Sequence, residues 1–342
     1  MDPALLRILD ANLNRAREAF RTLEEHVRFV LDDAALTARV KQCRHDLAAV
    51  SAALPGIDML ANRDIEHDVG ASVTTPTEGV RTNAGDVAAA SAGRATEALR
   101  CLEEYGKVID PALAARFEQL RYAVYALERD IVVTGPRRAR LRDARLHVLL
   151  TEALCSGPWL GVAEAAIAGG ADVLQLREKS LPDGELLDRA RRLRTLTAAR
   201  GALFFVNDRP DIARLAGADG VHVGQDDLTI PEVRRIAGPT VLVGISTHSV
   251  EQARAALDQR PDYVAVGPMF TSPTKPAIVA QGPSLLSAVR MLADCPVVAI
   301  GGITPANVRE LETFAGIQIA VCQAVISRPD PAAAARELLQ AL

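Results

Sequence analysis

From Leu146 to the end of the chain, short apolar runs alternate with helical stretches without a missed beat. The runs are LHVLLTEAL, DVLQLRE, ALFFVND, GVHVGQ, VLVGIS, DYVAVGP, PVVAIGG and IQIAVCQAV. Each contains at least one valine, and each precedes a segment with helical spacing, the last being PAAAARELLQAL. Val-rich strands joined by helical crossovers argue for a parallel sheet whose faces are covered by helices. Eight such units in about two hundred residues close into a (β/α)8 TIM barrel.

Upstream the rhythm is different. RAREAFRTLEE begins at Arg15 and RATEALRCLEE at Arg94, 79 residues later; RVKQCR at Arg39 is echoed by RFEQLR at Arg116. Each repeat reads as a long helix, an Asp-containing turn (Asp32-Asp33, Asp110-Pro111) and a second helix. Leu9, Leu13, Ala16, Phe20, Leu23, Val27 and Val30 recur in steps of three and four, which predicts one buried stripe. The expected first part is an all-α helical bundle made by internal duplication. Its repeated charges Arg15/Arg94, Glu18/Glu97, Arg21/Arg100 and Glu25/Glu104 are either surface ion pairs, worth a few tenths of a kcal/mol each, or part of a site. Between the repeats runs a polar stretch from Asn62 to Asp86 with Arg63, Asp64, Glu66, His67, Asp68, Arg81 and Asn83. It reads equally as a phosphate or metal site and as a solvated crossover. The Gly-, Pro- and Arg-containing segment TGPRRARLRDAR separates the two rhythms. The expected organisation is a helical domain over 1–133, a linker over 134–145 and a barrel over 146–342.

Bulk properties narrow the partners. A net charge of −4 with mixed signs leaves no basic stripe for nucleic acid. Five scattered cysteines without a CxxC point to free thiols in a reducing compartment. No apolar run approaches ~18 residues, and the first residues, MDPALLRILD, do not read as a signal peptide. A cytoplasmic protein of small-molecule substrates is expected, with homo-oligomerisation left open.

In such a barrel the chemistry sits where strands end. There the sequence places Gln175, Arg177 and Lys179 after strand 2, Asn207-Asp208 after strand 3 and Gln225-Asp226-Asp227 after strand 4. Ser246 and His248 follow strand 5, Ser272, Thr274 and Lys275 follow strand 6, Gly301-Gly302 follow strand 7, and Gln323 lies near strand 8. Each alone has a plain explanation: an Asp at a strand end is often a helix cap, His222 reads as a satisfied core histidine and His248 as a loop or cap residue. Together they suit a polyphosphate with Mg2+, which takes one or two carboxylates plus water and phosphate oxygens. Asp208 and Asp227 are the expected metal ligands. Arg177 offers a planar fork, and Lys179 and Lys275 offer point charges.

LQLREK, VNDRPDIARLAGADGVHVGQDD, VGISTHS, VAVGPMFTSPTK and VAIGGI together closely resemble the thiamine-phosphate synthase family. The resemblance covers about residues 145–342, with the motifs in the family's order and spacing. It implies condensation of 4-amino-2-methyl-5-hydroxymethylpyrimidine diphosphate with 4-methyl-5-(2-phosphooxyethyl)thiazole, releasing pyrophosphate. It implies that Gln175, Leu176, Arg177, Glu178, Lys179, Asn207, Ser246 and Lys275 hold the pyrimidine diphosphate. It assigns Asp208 and Asp227 to one Mg2+, and Ser272, Thr274, Gly302 and Gln323 to the thiazole phosphate. Arg177, Lys179, Lys275 and Ser246 are the expected catalytic residues. Val321-Cys322-Gln323-Ala324-Val325 departs from the family's Val-Ser-Ala-Ile-like pattern. The helical half resembles an extension fused to some synthases and suggested to be an alternative kinase for the pyrimidine monophosphate. ATP is implied only if it is one, since no P-loop or GxGxxG is present; a packing or dimerisation module is the other reading. Rival readings of the barrel are a thiazole tautomerase-like relative and a non-catalytic thiazole-phosphate-binding regulator.

Overall fold

A computed structural model describes residues 1–63, 80–271, 282–311, 314 and 316–342. It divides into two compact units, Met1–Pro136 and Arg137–Leu342.

The first unit is helical: α1 (Pro3–Phe29), α2 (Ala34–Ser51), the short α3 (Gly56–Ala61), α4 (Ala84–Gly106) and α5 (Pro111–Arg129), followed by a π turn over Asp130–Thr134. Its helix starts are written in the sequence. Asp33 accepts from the Leu36 N–H at 2.8 Å, and Asp110 from that of Ala112 at 2.8 Å. Each satisfies a backbone donor that the first turn leaves unpaired. Pro3 and Pro111 occupy first-turn positions, where a missing N–H costs nothing. α1 packs chiefly on α4, and α4 on α5. Leu9, Leu13, Ala16, Phe20, Leu23 and Val27 form the predicted buried stripe. Val30 does not join it: α1 ends at Phe29, and Val30 is 51% exposed.

The helical phase also sorts the repeated charges. The buried acids are Glu24 and Glu103, one position before Glu25 and Glu104. Glu103 accepts from Arg121 at 2.9 Å and from Arg100 at 2.8 Å. Glu24 accepts from Arg44, with Arg21 and Arg28 each 3.9 Å away. Of the crossover residues, Arg63 is paired with Asp10 at 2.6 Å and Asn83 caps α4. Asp64, Glu66, His67 and Asp68 lie outside the described residues.

α6 (Gly135–Asp143) spans the division, so the Arg-rich segment is largely helical. Then follow β1 (Leu146–Leu150), α7 (Trp159–Ala168), β2 (Val173–Leu176), α8 (Asp183–Arg200), β3 (Leu203–Asn207) and α9 (Pro210–Ala216). Next come β4 (Gly220–Val223), α10 (Ile230–Ala237), β5 (Leu242–Thr247), α11 (Val250–Asp258), β6 (Tyr263–Val266) and α12 (Gly282–Arg290). The chain ends with β7 (Val297–Ile300), a 3-10 turn over Val308–Leu311, β8 (Gln318–Val321), α13 (Gln323–Ile326) and α14 (Pro331–Ala341). The eight strands form a closed parallel barrel in chain order. The last apolar run, IQIAVCQAV, is strand only to Val321; its second half turns into α13.

Strand side chains alternate in direction. One set packs against the surrounding helices, among them Leu176, Val206, Val221 and Val223. The other fills the barrel: Val173, Leu203, Phe205, Leu242, Tyr263, Ala265, Val298 and Ala320. Two glycines make room for its rings. A Cβ on Gly220 would sit 2.2 Å from the Phe205 ring, and one on Gly244 would sit 2.1 Å from the Tyr263 ring.

α6 closes the end where the strands begin. Leu141 and Ala144 join the interior cluster, and the Gln318 amide donates to the Leu141 and Arg142 carbonyls at 2.8 and 3.1 Å. Buried acids at the strand starts are satisfied there. Asp219 accepts from Arg194 at 2.7 Å and faces Arg137 at 3.2 Å. Asp262 accepts from Arg138 at 2.7 Å and Arg234 at 2.9 Å. These carboxylates hold strands, which leaves the opposite rim for chemistry.

Candidate active site

At the C-terminal rim, β3 hands over to Asp208 in the left-handed region, φ 62°. A non-glycine residue there costs of order 1–3 kcal/mol and is typical of sites where geometry outranks stability. The Asp208 N–H donates to the His222 carbonyl at 2.8 Å, tying the end of β3 to β4. After β4, the Gly224 N–H donates to Asp227 Oδ2 at 2.7 Å. These loops bring the Asp208 and Asp227 side chains into hydrogen-bond contact, with Lys179 Nζ 3.8 Å from Asp208 Oδ2. Burial first, and then Asp227, push the Asp208 carboxyl above its usual range, while Lys179 and Arg177 pull it down. Two like charges forced together call for a cation. Among the described residues no cluster of three or more His, Cys, Asp or Glu side chains forms. The donor set is thus two hard carboxylates, which fits a magnesium-type ion completed by water and phosphate oxygens.

Arg177 follows β2 directly, its N–H bonded to the Leu150 carbonyl at 2.8 Å. Its charge is felt by Asp208, His222 and Cys322, which puts it between the ends of β3, β4 and β8. Among the described residues its guanidinium has no hydrogen bond or ion pair of its own. A cation held without a protein partner is available to an anionic guest. Lys179 is 62% exposed at its side chain and can move toward one.

The other residues of the Gln175–Lys179 run divide by contact. The expected alternation of Gln175, Arg177 and Lys179 stops at Leu176, where β2 ends. Leu176 packs in the sheet–helix core, so only its backbone faces the rim. Glu178 accepts from the Glu152 N–H at 2.6 Å and lies 3.5 Å from Arg189; it braces the loop after β1. Gln175 is 4% exposed, and its Oε1 has no partner among the described residues. Its side chain lies beside the Tyr263 hydroxyl.

Ser246 and Asn207 occupy the ends of β5 and β3. Ser246 Oγ is 2.8 Å from His222 Nε2, and the Ser246 carbonyl accepts from Gln225 at 2.6 Å. His222 Nδ1 in turn lies 2.7 Å from the Tyr263 hydroxyl. His222 is a core histidine, but it also touches a rim residue, which the sequence reading missed. The available signal was alternation: Val221 and Val223 point outward, so His222 points in. Burial, aided by His147 and Arg177, lowers its pKa to about 3, so the ring is neutral. His248 is the expected loop residue, with Nδ1 2.5 Å from the Gly267 carbonyl.

On the other side of the rim, Gly301 and Gly302 have φ of 100° and 70°. A Cβ on Gly302 would meet the carbonyl oxygens of Phe270 and Thr271 at 2.6 Å, so the loop after β7 packs backbone to backbone on the loop after β6. Gln323 opens α13 beside Cys322, whose thiol burial pushes up to about 11. Ser272, Thr274 and Lys275 lie outside the described residues. A depression of about 140 Å3 lined by Arg137, Arg214 and Thr240 is near the strand starts, and its arginines are already bonded to Asp219, the Thr240 carbonyl and the Ile236 carbonyl.

Residues 146–325 match the family described as thiamine monophosphate synthase, and residues 7–130 match the ThiD2 family. A thiamine-phosphate synthase of Thermosynechococcus vestitus is 41% identical over 99% of this chain and 95% of its own length. That of Gloeobacter violaceus is 40% identical over 96% of this chain and 94% of its own. A solved thiamine phosphate pyrophosphorylase from Pyrococcus furiosus superposes with a TM-score of 0.54 and 36% identity, covering 59% of this chain and 96% of its own. With both units matched, and near-full-length relatives of about this identity, the chain belongs to the thiamine-phosphate synthase family.

Proposed function

We propose that the barrel is a transferase that joins 4-amino-2-methyl-5-hydroxymethylpyrimidine diphosphate to 4-methyl-5-(2-phosphooxyethyl)thiazole, giving thiamine phosphate and pyrophosphate. The observation that carries this reading is the meeting of Asp208 and Asp227 beside Lys179, with Arg177, which is unpaired among the described residues, nearby. Asp208 and Asp227 would hold one Mg2+, which would supply charge neutralisation to the diphosphate. Arg177 and Lys179, with Lys275, bind the diphosphate oxygens and stabilise the charge that grows as the C–O bond breaks. Gln175 Oε1, a buried acceptor without a partner among the described residues, receives the pyrimidine amino group; Asn207 and Ser246 complete that subsite. Gly302 and Gln323, with Ser272 and Thr274, receive the thiazole phosphate. The aminopyrimidine delocalises the methylene cation, and the thiazole nitrogen attacks it. No protein nucleophile is required; the chain supplies positioning and preorganised charge.

Mixing both substrates with Mg2+ and following pyrophosphate tests this directly. Metal-dependent release, abolished by a chelator, supports it. Thiazole phosphate binding without release would replace it with the regulator reading. The ThiD2 match over residues 7–130 supports a second activity, ATP-dependent phosphorylation of the pyrimidine monophosphate by the first unit. Full-length protein given ATP, the monophosphate and no thiazole phosphate should then form ADP; an absence of ADP leaves the first unit a packing module.

A further inference from the structure

Asp208 stands at the apex of a turn that an L-residue does not favour. The Arg209 N–H donates to the Asn207 carbonyl at 2.8 Å, which closes a three-residue turn around it. An apex φ of 62° makes this the rare, strained hand of γ-turn. The next residue gives no relief. Pro210 confines Arg209 to extended backbone, and Arg209 has φ −115°. The bond from the Asp208 N–H to the His222 carbonyl holds one side of the turn.

The Arg209 side chain braces the other side. Its Nε and Nη2 donate to the two Asp211 oxygens at 2.9 and 2.7 Å, and its Nη1 donates to Asp183 Oδ1 at 2.6 Å. Asp211 lies in the first turn of α9. Asp183 opens α8, at the far end of the loop that carries Arg177 and Lys179. One planar fork thus spans the loop that carries Asp208 and the loop that carries the cations. Its hydrogen bonds hold both aspartates below their usual range. The bridge contributes little to global stability, because the Asp183 side chain is 74% exposed and exposed ion pairs are weak. What it can do is fix where one loop stands against the other.

We propose that Arg209 is a positioning residue that splints the loop after β3 to the loop after β2, holding the Asp208 carboxylate against Asp227 where one divalent ion can use both. The inference rests on the metal-dependent reaction proposed above, but ion binding can be read without any substrate. The sign of the effect separates positioning from simple charge. Arg209 is a cation one residue from a metal ligand, so by Coulomb's law alone its removal would tighten metal binding. Loss of a splint does the reverse: the apex relaxes, Asp208 turns from Asp227 and binding weakens.

The test is titration of Mn2+, standing in for Mg2+, into full-length protein, with the free ion read by electron paramagnetic resonance. Arg209→Gln should weaken Mn2+ binding about tenfold, as for other groups that orient a metal ligand, with the melting temperature nearly unchanged. Asp183→Asn cuts the bridge from the other loop and should weaken binding to a similar degree. The double variant should bind no more weakly than Arg209→Gln alone, because both changes break one link. Turnover that the variants lose at low Mg2+ should return at roughly tenfold higher Mg2+. A merely structural role would lower the melting temperature and leave the Mn2+ constant unmoved. Arg209→Gln binding Mn2+ as tightly as the wild type, or more tightly, overturns the proposal, as do losses that multiply in the double variant. Should Arg209→Gln fail to fold, Asp183→Asn at its exposed position decides alone, and wild-type Mn2+ binding by it overturns the proposal. A wild-type protein that takes up no Mn2+ overturns it too. One that takes up Mn2+ but releases no pyrophosphate overturns the reaction instead, and the variants' Mn2+ constants still judge the splint.

Discussion

Replacing Asp227 with Asn removes a charge and little else. The Gly224 N–H that now donates to Asp227 Oδ2 at 2.7 Å can donate equally to an amide oxygen. What changes is the electrostatics at Asp208. Like unit charges about 4 Å apart repel by ~4 kcal/mol in a surface-like dielectric. Lys179, 3.8 Å from Asp208, offsets a comparable share, though it is largely exposed and screened. The net repulsion relieved in metal-free protein is of order 1 kcal/mol. Because the folded-state pKa of Asp208 is raised, the native protein holds that proton more tightly than the unfolded chain. This contribution to stability is present below the unfolded pKa and is lost as pH rises through the folded one. Asp227→Asn should blunt that loss and raise the barrel's melting temperature at neutral pH, without metal, by roughly 2–4 °C. Mg2+ should relieve the same repulsion in the wild type. At a hundredfold excess over its dissociation constant it should stabilise the wild type by about 2.7 kcal/mol and the variant far less. Calorimetry with chelator and with Mg2+ measures both effects. A metal-free Asp227→Asn protein less stable than wild type, or one stabilised equally by Mg2+, would refute the picture of two acids competing for one ion.

Other substitutions probe separate parts of the structure. Arg177→Lys keeps the charge but loses the fork, and should cost roughly tenfold or more in kcat/KM with the urea midpoint unchanged. Gly244→Ala drives a methyl into the Tyr263 ring and should destabilise the barrel by about 1–3 kcal/mol, read by urea denaturation. Glu103→Ala removes the buried ion-pair partner of Arg121, leaving it only Tyr125 and the more distant Glu118, and should cost about 3 kcal/mol, read from the helical unit's transition; a neutral result would mean that water reaches the guanidinium.

The barrel was legible because strands buried on both faces read as unbroken apolar runs, and its polar residues cluster where those runs stop. Helix starts were legible because an Asp before a helical pattern has a local job, as at Asp33 and Asp110. What escaped was set by distance or phase. The His222–Tyr263 bond joins residues 41 apart in the chain, so alternation gives His222 a direction but not a partner. Glu24 and Glu103 rather than Glu25 and Glu104 are buried because neighbouring helical positions differ by about 100°. Glu178 appears in a run of rim residues yet turns to Glu152 and Arg189, because β2 stops two residues earlier.

The arginine-laden helix α6 carries a practical lesson about where this enzyme can be cut. The match to the thiamine monophosphate synthase family begins at residue 146, and a fragment begun there would look whole on paper. It would arrive with one mouth of the cylinder open: Leu141 and Ala144 gone from beneath the inward-facing side chains, Gln318 stripped of both carbonyl acceptors, and Asp219 and Asp262 each down to a single guanidinium. The barrel's stopper is encoded upstream of the segment that the barrel family's match covers.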